Sequence, residues 1–311
     1  MSNLTEGINI MEKYSVLYNP KSGNGRGEDE VRNLEKIWPH AAFTYHDITK
    51  ISDVPAFIAG ISEDEGIILS GGDGTVNHFI NDIGGKDPGR EILYYATGTG
   101  NDFLNDIGIT HGDPPFRLND YIINLPVVYV NGLEKYFLNG IGYGIDGYCC
   151  EVGDKVREAS DKPVNYTAIA IKGLIYGYHR TSAEITIDGV SKSYKQVWLS
   201  PTMKGRYIGG GMKIAPQQER RAADGSVSLM VMRCRSKLKT LMIFPSIFKG
   251  EHVKHTEVVD IFQGHEVHVK FDRPTALQID GETVLNVLEY RVKAPMPAET
   301  KTEEKNVVGA V

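Results

Sequence analysis

The sequence predicts an α/β N-terminal domain, a parallel sheet with helices, followed by an all-β sandwich C-terminal domain. Three observations carry this reading. Up to about residue 120, short apolar runs alternate with segments of helical spacing, the order that βαβ units require. Beyond that point strand runs follow one another with turn signals between them and no regular helices, the pattern of an antiparallel sandwich or barrel. At 311 residues the chain is long enough to bury two cores.

In chain order, residues 14–18 read as the first strand, 42–45 as the second, 67–69 as the third and 91–96 as the fourth. Residues 28–38 have helical spacing, with Val31, Leu34, Ile37 and Trp38 on one face. Asp53 caps a helix that starts at Val54 and Pro55, where proline is tolerated. A further helix over 76–83 is closed by Gly84-Gly85. In the second half, 121–125, 127–130 and 134–138 read as strands and 164–178 as an amphipathic helix, with Tyr166, Ile169, Ala170 and Leu174 on its core face. Asp188-Gly189 turns a hairpin. Further strands fall at 196–199, 227–232, 258–262, 267–271 and 284–292. The expected division is 14–139 for the first domain and 140–280 for the second. Residues 281–295 then form a strand returning toward the first domain, and 296–311 an acidic, polar, disordered tail.

Composition narrows the function classes. A net charge of −6 argues against general nucleic-acid binding, which needs broad positive surface. Cys149, Cys150 and Cys234 have neither metal-ligand spacing nor a disulfide framework, which suits a reducing compartment. No apolar stretch is long enough to span a bilayer, so the expectation is a cytoplasmic protein whose contact with a membrane is peripheral, at its inner face. Residues 238–248 are apolar with basic flanks. They read first as a buried helix with snorkelling lysines, and second as a segment that docks on anionic lipid.

Three loops fall where the first four strands end, and in a parallel sheet such ends share one edge. They are Asn19-Pro20-Lys21-Ser22-Gly23, Gly71-Gly72-Asp73-Gly74-Thr75 and Thr97-Gly98-Thr99-Gly100-Asn101-Asp102. Glycine lets backbone N–H groups approach a ligand, and a turn opening into a helix concentrates donors and positive dipole, so the second loop predicts a phosphate site. Asp73 would repel a bare phosphate. Together with Asp102 it calls for a divalent cation accompanying the nucleotide, held directly or through water. No Gly-x-x-x-x-Gly-Lys-Ser/Thr occurs, which excludes a P-loop, and the glycines at 23–27 lack a full dinucleotide fingerprint.

Taken together, the three loops resemble the diacylglycerol kinase catalytic domain family, in particular its soluble bacterial lipid kinases, and the resemblance runs from about residue 14 to 293. It implies a fold like that of NAD kinase and diacylglycerol kinase, ATP as phosphoryl donor, Mg²⁺ as cofactor and a lipid at a membrane surface as acceptor. Diacylglycerol yielding phosphatidic acid is the first expectation. It implies that Glu282 of Gln278-Ile279-Asp280-Gly281-Glu282 is the general base and that Asp280 joins Asp73 and Asp102 in the catalytic metal network. It further implies a structural Mg²⁺ held by Asp224 with the main-chain carbonyls of Arg221 and Ser226. On spacing alone, the acids of Asp280-Gly281-Glu282 are a solvated hairpin turn and Asp224-Gly225 is only a turn. Two departures bear on the acceptor. Many relatives have an aspartate where Asn124-Leu125-Pro126 leads into the next strand, and Ala-Arg where Leu104-Asn105 stands. The alternatives are a kinase for a sphingoid base, phosphatidylglycerol, polyprenol or NAD, or a catalytically weak lipid- or nucleotide-binding regulator. A homodimer is left open.

Overall fold

The computed structural model describes residues 10–98, 100, 102–159 and 164–296. The leader through Asn9, Thr99, Asn101 and the tail from Pro297 therefore lie outside the described residues. Strands β1 (Lys13–Tyr18), β2 (Ala42–Asp47), β3 (Gly66–Gly71), β4 (Ile92–Ala96) and β5 (Phe116–Arg117) form the first sheet, in the order β2-β1-β3-β4-β5. The first four run parallel, and β5 is antiparallel to β4. Apolar cores cover both faces of this sheet. Val76, Phe79 and Phe103 pack on one side, and Tyr14, Val31 and Leu34 on the other. Burial on both faces is why β3 and β4 read as continuous apolar runs rather than alternating ones.

Two local expectations are corrected here. Residues 28–38 form two short helices, Gly27–Val31 and Leu34–Ile37, instead of one. Asn33 Nδ2 donates to Glu30 O at 3.0 Å, a side-chain bond that competes with the helical ladder, although Val31 and Leu34 keep the buried face. Residues 121–125 are not a strand. Asn119–Ile122 is a helical turn, anchored by Asn119 between Ile92 N and Arg90 O, and Asn124 has φ +54°.

The second sheet has ten strands. They are β6 (Val127–Val130), β7 (Leu133–Tyr136), β8 (Gly140–Tyr143), β9 (Thr181–Ile187), β10 (Val190–Leu199), β11 (Thr202–Met203), β12 (Val227–Arg233), β13 (Val259–Gly264), β14 (Glu266–Ile279) and β15 (Glu282–Lys293). All pairings are antiparallel. The long β14 pairs with β9 over Val267–Phe271 and with β8 over Leu277–Ile279, so the sheet folds back on itself around Tyr143, Val269, Phe271 and Leu277. The hairpin β6–β7, on the N-terminal side of the 139/140 division, hydrogen-bonds into this second sheet through β15. The final strand lies between β6 and β14, and the first domain is reached both through β7, where Tyr136 O accepts from Asn77 and Asn81, and at the start of β15, where Glu282 stands 3.2 Å from His78. The Asp188-Gly189 hairpin forms as expected, with φ of +46° and +81°.

One helix was not legible in the sequence. Ile145–Ala159 runs for 15 residues against β14. Its Gly147 and Gly153 lower helix propensity and disguise it. Gly147 is there for close approach, since a Cβ on it would stand 2.1 Å from Ala276 O. The atom that a Cβ would meet there belongs to backbone and cannot swing aside. Gly147→Ala is therefore expected to cost about 1–3 kcal/mol, read as a lower urea midpoint at unchanged m-value. An unshifted midpoint would contradict this packing.

Candidate active site

The three loops meet at the carboxyl edge of β1, β3 and β4 and are bonded to one another. Asn19 N donates to Ser70 O at 3.0 Å and Thr97 N to Gly71 O at 2.9 Å. Asn19 Nδ2 donates to Thr75 Oγ1 at 2.9 Å, and Ser22 Oγ lies 2.8 Å from Asn19 O and 2.9 Å from Thr97 Oγ1. Gly72 and Gly98 touch backbone to backbone, and a Cβ on Gly98 would come 2.2 Å from Gly72 Cα. Gly23, at φ +59°, is pressed against Thr97 O. The helix Asp73–Asp82 starts at Gly72 without a side-chain cap; Thr75 N donates to Gly72 O at 2.9 Å, which leaves the N–H groups of Asp73 and Gly74 at the end of the helix where Gly72, Gly74 and Thr75 line the cleft. Lys21 also lines that cleft. Pro20 fixes the turn before it. Thr99 and Asn101 lie outside the described residues.

Behind the loops stands a network of buried carboxylates. Asp73 Oδ2 accepts from Phe103 N and Asn139 Nδ2, both at 3.1 Å, while its buried Oδ1 has no hydrogen-bond partner among the described residues. Burial first, and then the charge of Asp102, push its carboxyl up to about 7. Asp102 accepts from Gly210 N at 2.9 Å and Gly211 N at 2.7 Å, and burial raises it as well. Asp280, in the turn between β14 and β15, accepts from Asn139 N at 2.8 Å, Gly140 N at 2.9 Å, Leu138 N and Asn77 Nδ2 at 2.6 Å. With both oxygens filled in this way, Asp280 acts through its charge and its hold on the 138–140 crossing. Asp146 receives Gln278 Nε2 at 2.8 Å and is raised to about 6 by burial.

The motif reading missed the groups that organise these acids. Arg220, almost fully buried, pairs with Asp106 Oδ2 and donates to Leu138 O and, at 2.7 Å, to Asn139 Oδ1. Its guanidinium carbon lies 5.0 Å from the Phe103 ring centroid. Arg206 fills the other oxygen of Asp106 at 2.6 Å. Asn77, Asn139 and Gln278 carry no chemical signature in sequence. They are scaffold amides whose roles come only from what they touch.

Glu282 is placed apart from the buried acids. Its half-exposed carboxylate pairs with Lys135 and stands 3.2 Å from His78 Nε2. His78 lines the cleft. Asp224 lies elsewhere too. It borders a second cavity, of about 430 Å³, together with Lys204, Arg220 and Arg221. Its Oδ1 accepts from Ser226 N and Oγ, and Ser226 O is already taken by Gln218 Nε2 at 3.0 Å. Asp120 is the second carboxylate of this cavity, and Arg221 pairs with it at 3.6 Å.

The main cleft is about 1030 Å³ and changes character along its length. One end is the loop edge with Asp73, Asp102 and Asp280. The other is apolar, lined by Ile145, Ala170, Leu199, Met212, Phe244 and Phe248.

Comparison with known proteins agrees with this architecture. Residues 13–124 match the diacylglycerol kinase catalytic domain, and residues 139–295 match the YegS C-terminal NAD kinase beta sandwich-like domain. A diacylglycerol kinase of Bacillus subtilis is 25% identical over 284 residues, covering 88% of this chain and 90% of that protein. One of Mycobacterium tuberculosis is 24% identical and covers 83% of this chain and 85% of its own. A crystal structure of a diacylglycerol kinase from Bacillus anthracis has the same fold, with a TM-score of 0.61 at 19% identity, covering 93% of this chain and 96% of that one. With the first match spanning β1–β5 and the second spanning β8–β15, the chain belongs to the diacylglycerol kinase catalytic domain family with a YegS-type C-terminal domain, and is a kinase with a hydroxyl acceptor.

Proposed function

We propose that the protein transfers the γ-phosphoryl group of ATP to a lipid hydroxyl, with diacylglycerol, giving phosphatidic acid, as the first acceptor to test. The observation that carries this is the mixed lining of the cleft, in which phosphate-type loops and acids share one cavity with Ala170, Leu199, Met212, Phe244 and Phe248, and Asp146 and Arg157 are the further ionisable groups beside them.

The acid cluster fits a hard divalent cation. Asp73 Oδ1 is a buried carboxylate oxygen without a donor among the described residues, beside the charges of Asp102 and Asp280. Asp73 and Asp102 would hold Mg²⁺, directly or through water, and Asp280 would add its charge from behind. Bound there, Mg²⁺ supplies charge neutralisation to the transferring phosphoryl group. The first-turn N–H groups after Gly72, the 19–23 loop and the 97–102 loop position the nucleotide phosphates. Glu282 accepts the proton of the acceptor hydroxyl at a carboxylate oxygen, and exchange of that oxygen away from Lys135 frees it to do so.

Labelled ATP with Mg²⁺, offered with diacylglycerol, sphingoid base, phosphatidylglycerol, polyprenol and NAD, tests the reading. Label is expected in a lipid, and transfer to none of them would favour a regulator instead. Glu282→Gln is expected to lower kcat about 10²- to 10⁴-fold, or ~3–5 kcal/mol of barrier, with melting temperature and nucleotide binding close to wild type. Retained turnover would remove Glu282 from the chemistry. Asp73→Asn should weaken Mg²⁺–ATP in a binding titration, and an unchanged titration would contradict its role.

A pH dependence follows as well. The raised carboxyls of Asp73 and Asp146 bind more protons folded than unfolded, from the ordinary aspartate range of about 4 up to about 7 and 6. Their contribution to stability is therefore present at low pH and is lost as pH rises through that window. In chelator, the melting temperature should fall between about pH 4 and pH 7, and Asp73→Asn should flatten that fall. An equal slope in the variant would show that Asp73 is not the group concerned.

A further inference from the structure

The two segments that frame the apolar end of the cleft, 164–180 and 235–250, are unusual in composition. They carry six Lys or Arg and no Asp or Glu, in a chain whose net charge is −6. They also hold six of the fifteen large apolar side chains exposed among the described residues.

The structure brings them together. The first comprises the helix Tyr166–Lys172 and the π-helical turn Gly173–Gly177, and the second the helix Lys237–Ile243 and the 3₁₀ turns Phe244–Lys249. Lys237 Nζ donates to Ile175 O at 2.6 Å, which joins them. Their inward residues Ala170, Leu174, Ile243, Phe244 and Ile247 share one buried core. Outward, Tyr176 is 82% exposed, Met242 74%, Leu238 69% and Ile171 43%. A helix buried on all its apolar positions, the first sequence expectation for 238–248, would hide Leu238 and Met242. Lys172, Arg235, Lys237 and Lys249 surround these residues and make no ion pair among the described residues. The nearby acids are already engaged, Glu257 by Lys239 at 2.9 Å and Glu251 by Lys254 at 3.1 Å. Tyr166 and Phe248 belong both to this face and to the lining of the cleft, so the exposed surface continues into the apolar end.

We propose that this face docks on an anionic lipid bilayer, with Tyr176, Leu238 and Met242 entering the interface and the surrounding basic residues meeting the headgroups. The inference rests on the lipid-kinase reading, to which it adds the route by which an acceptor passes from membrane to cleft. Charge complementarity and continuity with the cleft select a bilayer over other occupants. A bare apolar face would suit a second copy of the chain equally well, whereas a basic rim would repel its own image.

Co-sedimentation with vesicles tests the proposal. The full chain should bind vesicles of equal phosphatidylcholine and phosphatidylglycerol, bind phosphatidylcholine alone weakly, and lose binding as salt is raised. The combined variant Tyr176→Ser, Leu238→Ser, Met242→Ser should bind roughly tenfold less or weaker, and so should Lys172→Glu, Lys249→Glu. Both should melt with the wild type, because the altered side chains are exposed. Wild-type-like binding by both folded variants would overturn the proposal. So would a concentration-dependent dimer that the serine variant abolishes, since that would give the face to a second copy. Phosphoryl transfer to acceptors dispersed in detergent micelles separates the two readings. Transfer in micelles without vesicle binding overturns the docking face alone, and vesicle binding without transfer to any lipid counts against the lipid-kinase reading alone.

Discussion

The seam between the two sheets depends on the desolvated carboxylate of Asp280. Taking a carboxylate out of water costs several kcal/mol unless its lone pairs are filled. Here four donors fill them, three from the backbone that links β7 to β8 and one from Asn77 on the helix that begins at Asp73. The turn that holds Asp280 is itself held at φ +46°, a conformation aspartate tolerates better than most residues. With Asp280 in place, Asn139 has a fixed orientation. Its amide nitrogen then meets Asp73 and its amide oxygen meets Arg220. One ionised group thereby sets the relative placement of the loop edge, the crossing strand and the β14–β15 turn.

The same seam concentrates negative charge, and the protein balances it unevenly. Arg220 offsets Asp106 directly and reaches the crossing at Leu138 and Asn139, but Asp73 keeps one oxygen bare. An oxygen held without a donor inside a protein is a standing demand for a cation. Charge is arranged oppositely at the far end of the cleft, where basic side chains ring apolar ones at the surface. The polar end therefore suits a metal-bound polyphosphate, and the apolar end a molecule that arrives from a low-dielectric phase. The reacting groups would meet between the two.

The sequence by itself determined the elements whose causes are local. Alternating apolar runs gave the strands, Asp53 gave its cap on Ala56, Asp188-Gly189 gave its turn, and the glycines of the three loops announced backbone brought close to a ligand. Each depends on residues within a turn or two of one another, so spacing is enough to read it. The acids Asp73, Asp102 and Asp280 were visible for the same reason, as carboxylates set in glycine-rich turns.

Only the tertiary structure decided which of these groups meet. Asn77 and Asp280 bond across 203 positions, and Arg220 reaches Asp106 across 114, distances over which no periodicity carries information. The helix Ile145–Ala159 was obscured because its glycines answer to what packs on it, Gly147 to β14 and Gly153 to the Tyr166 ring, and not to the helix itself. Glu282 follows Asp280 by two residues, yet it sits at the rim with Lys135 and His78, because the tight turn at Gly281 sends the two carboxylates apart. Leu238 and Met242 look in sequence like any core leucine and methionine. Whether they face inward or outward was settled by the packing of two short helices, since apolar pattern fixes a helical face but not what that face will meet.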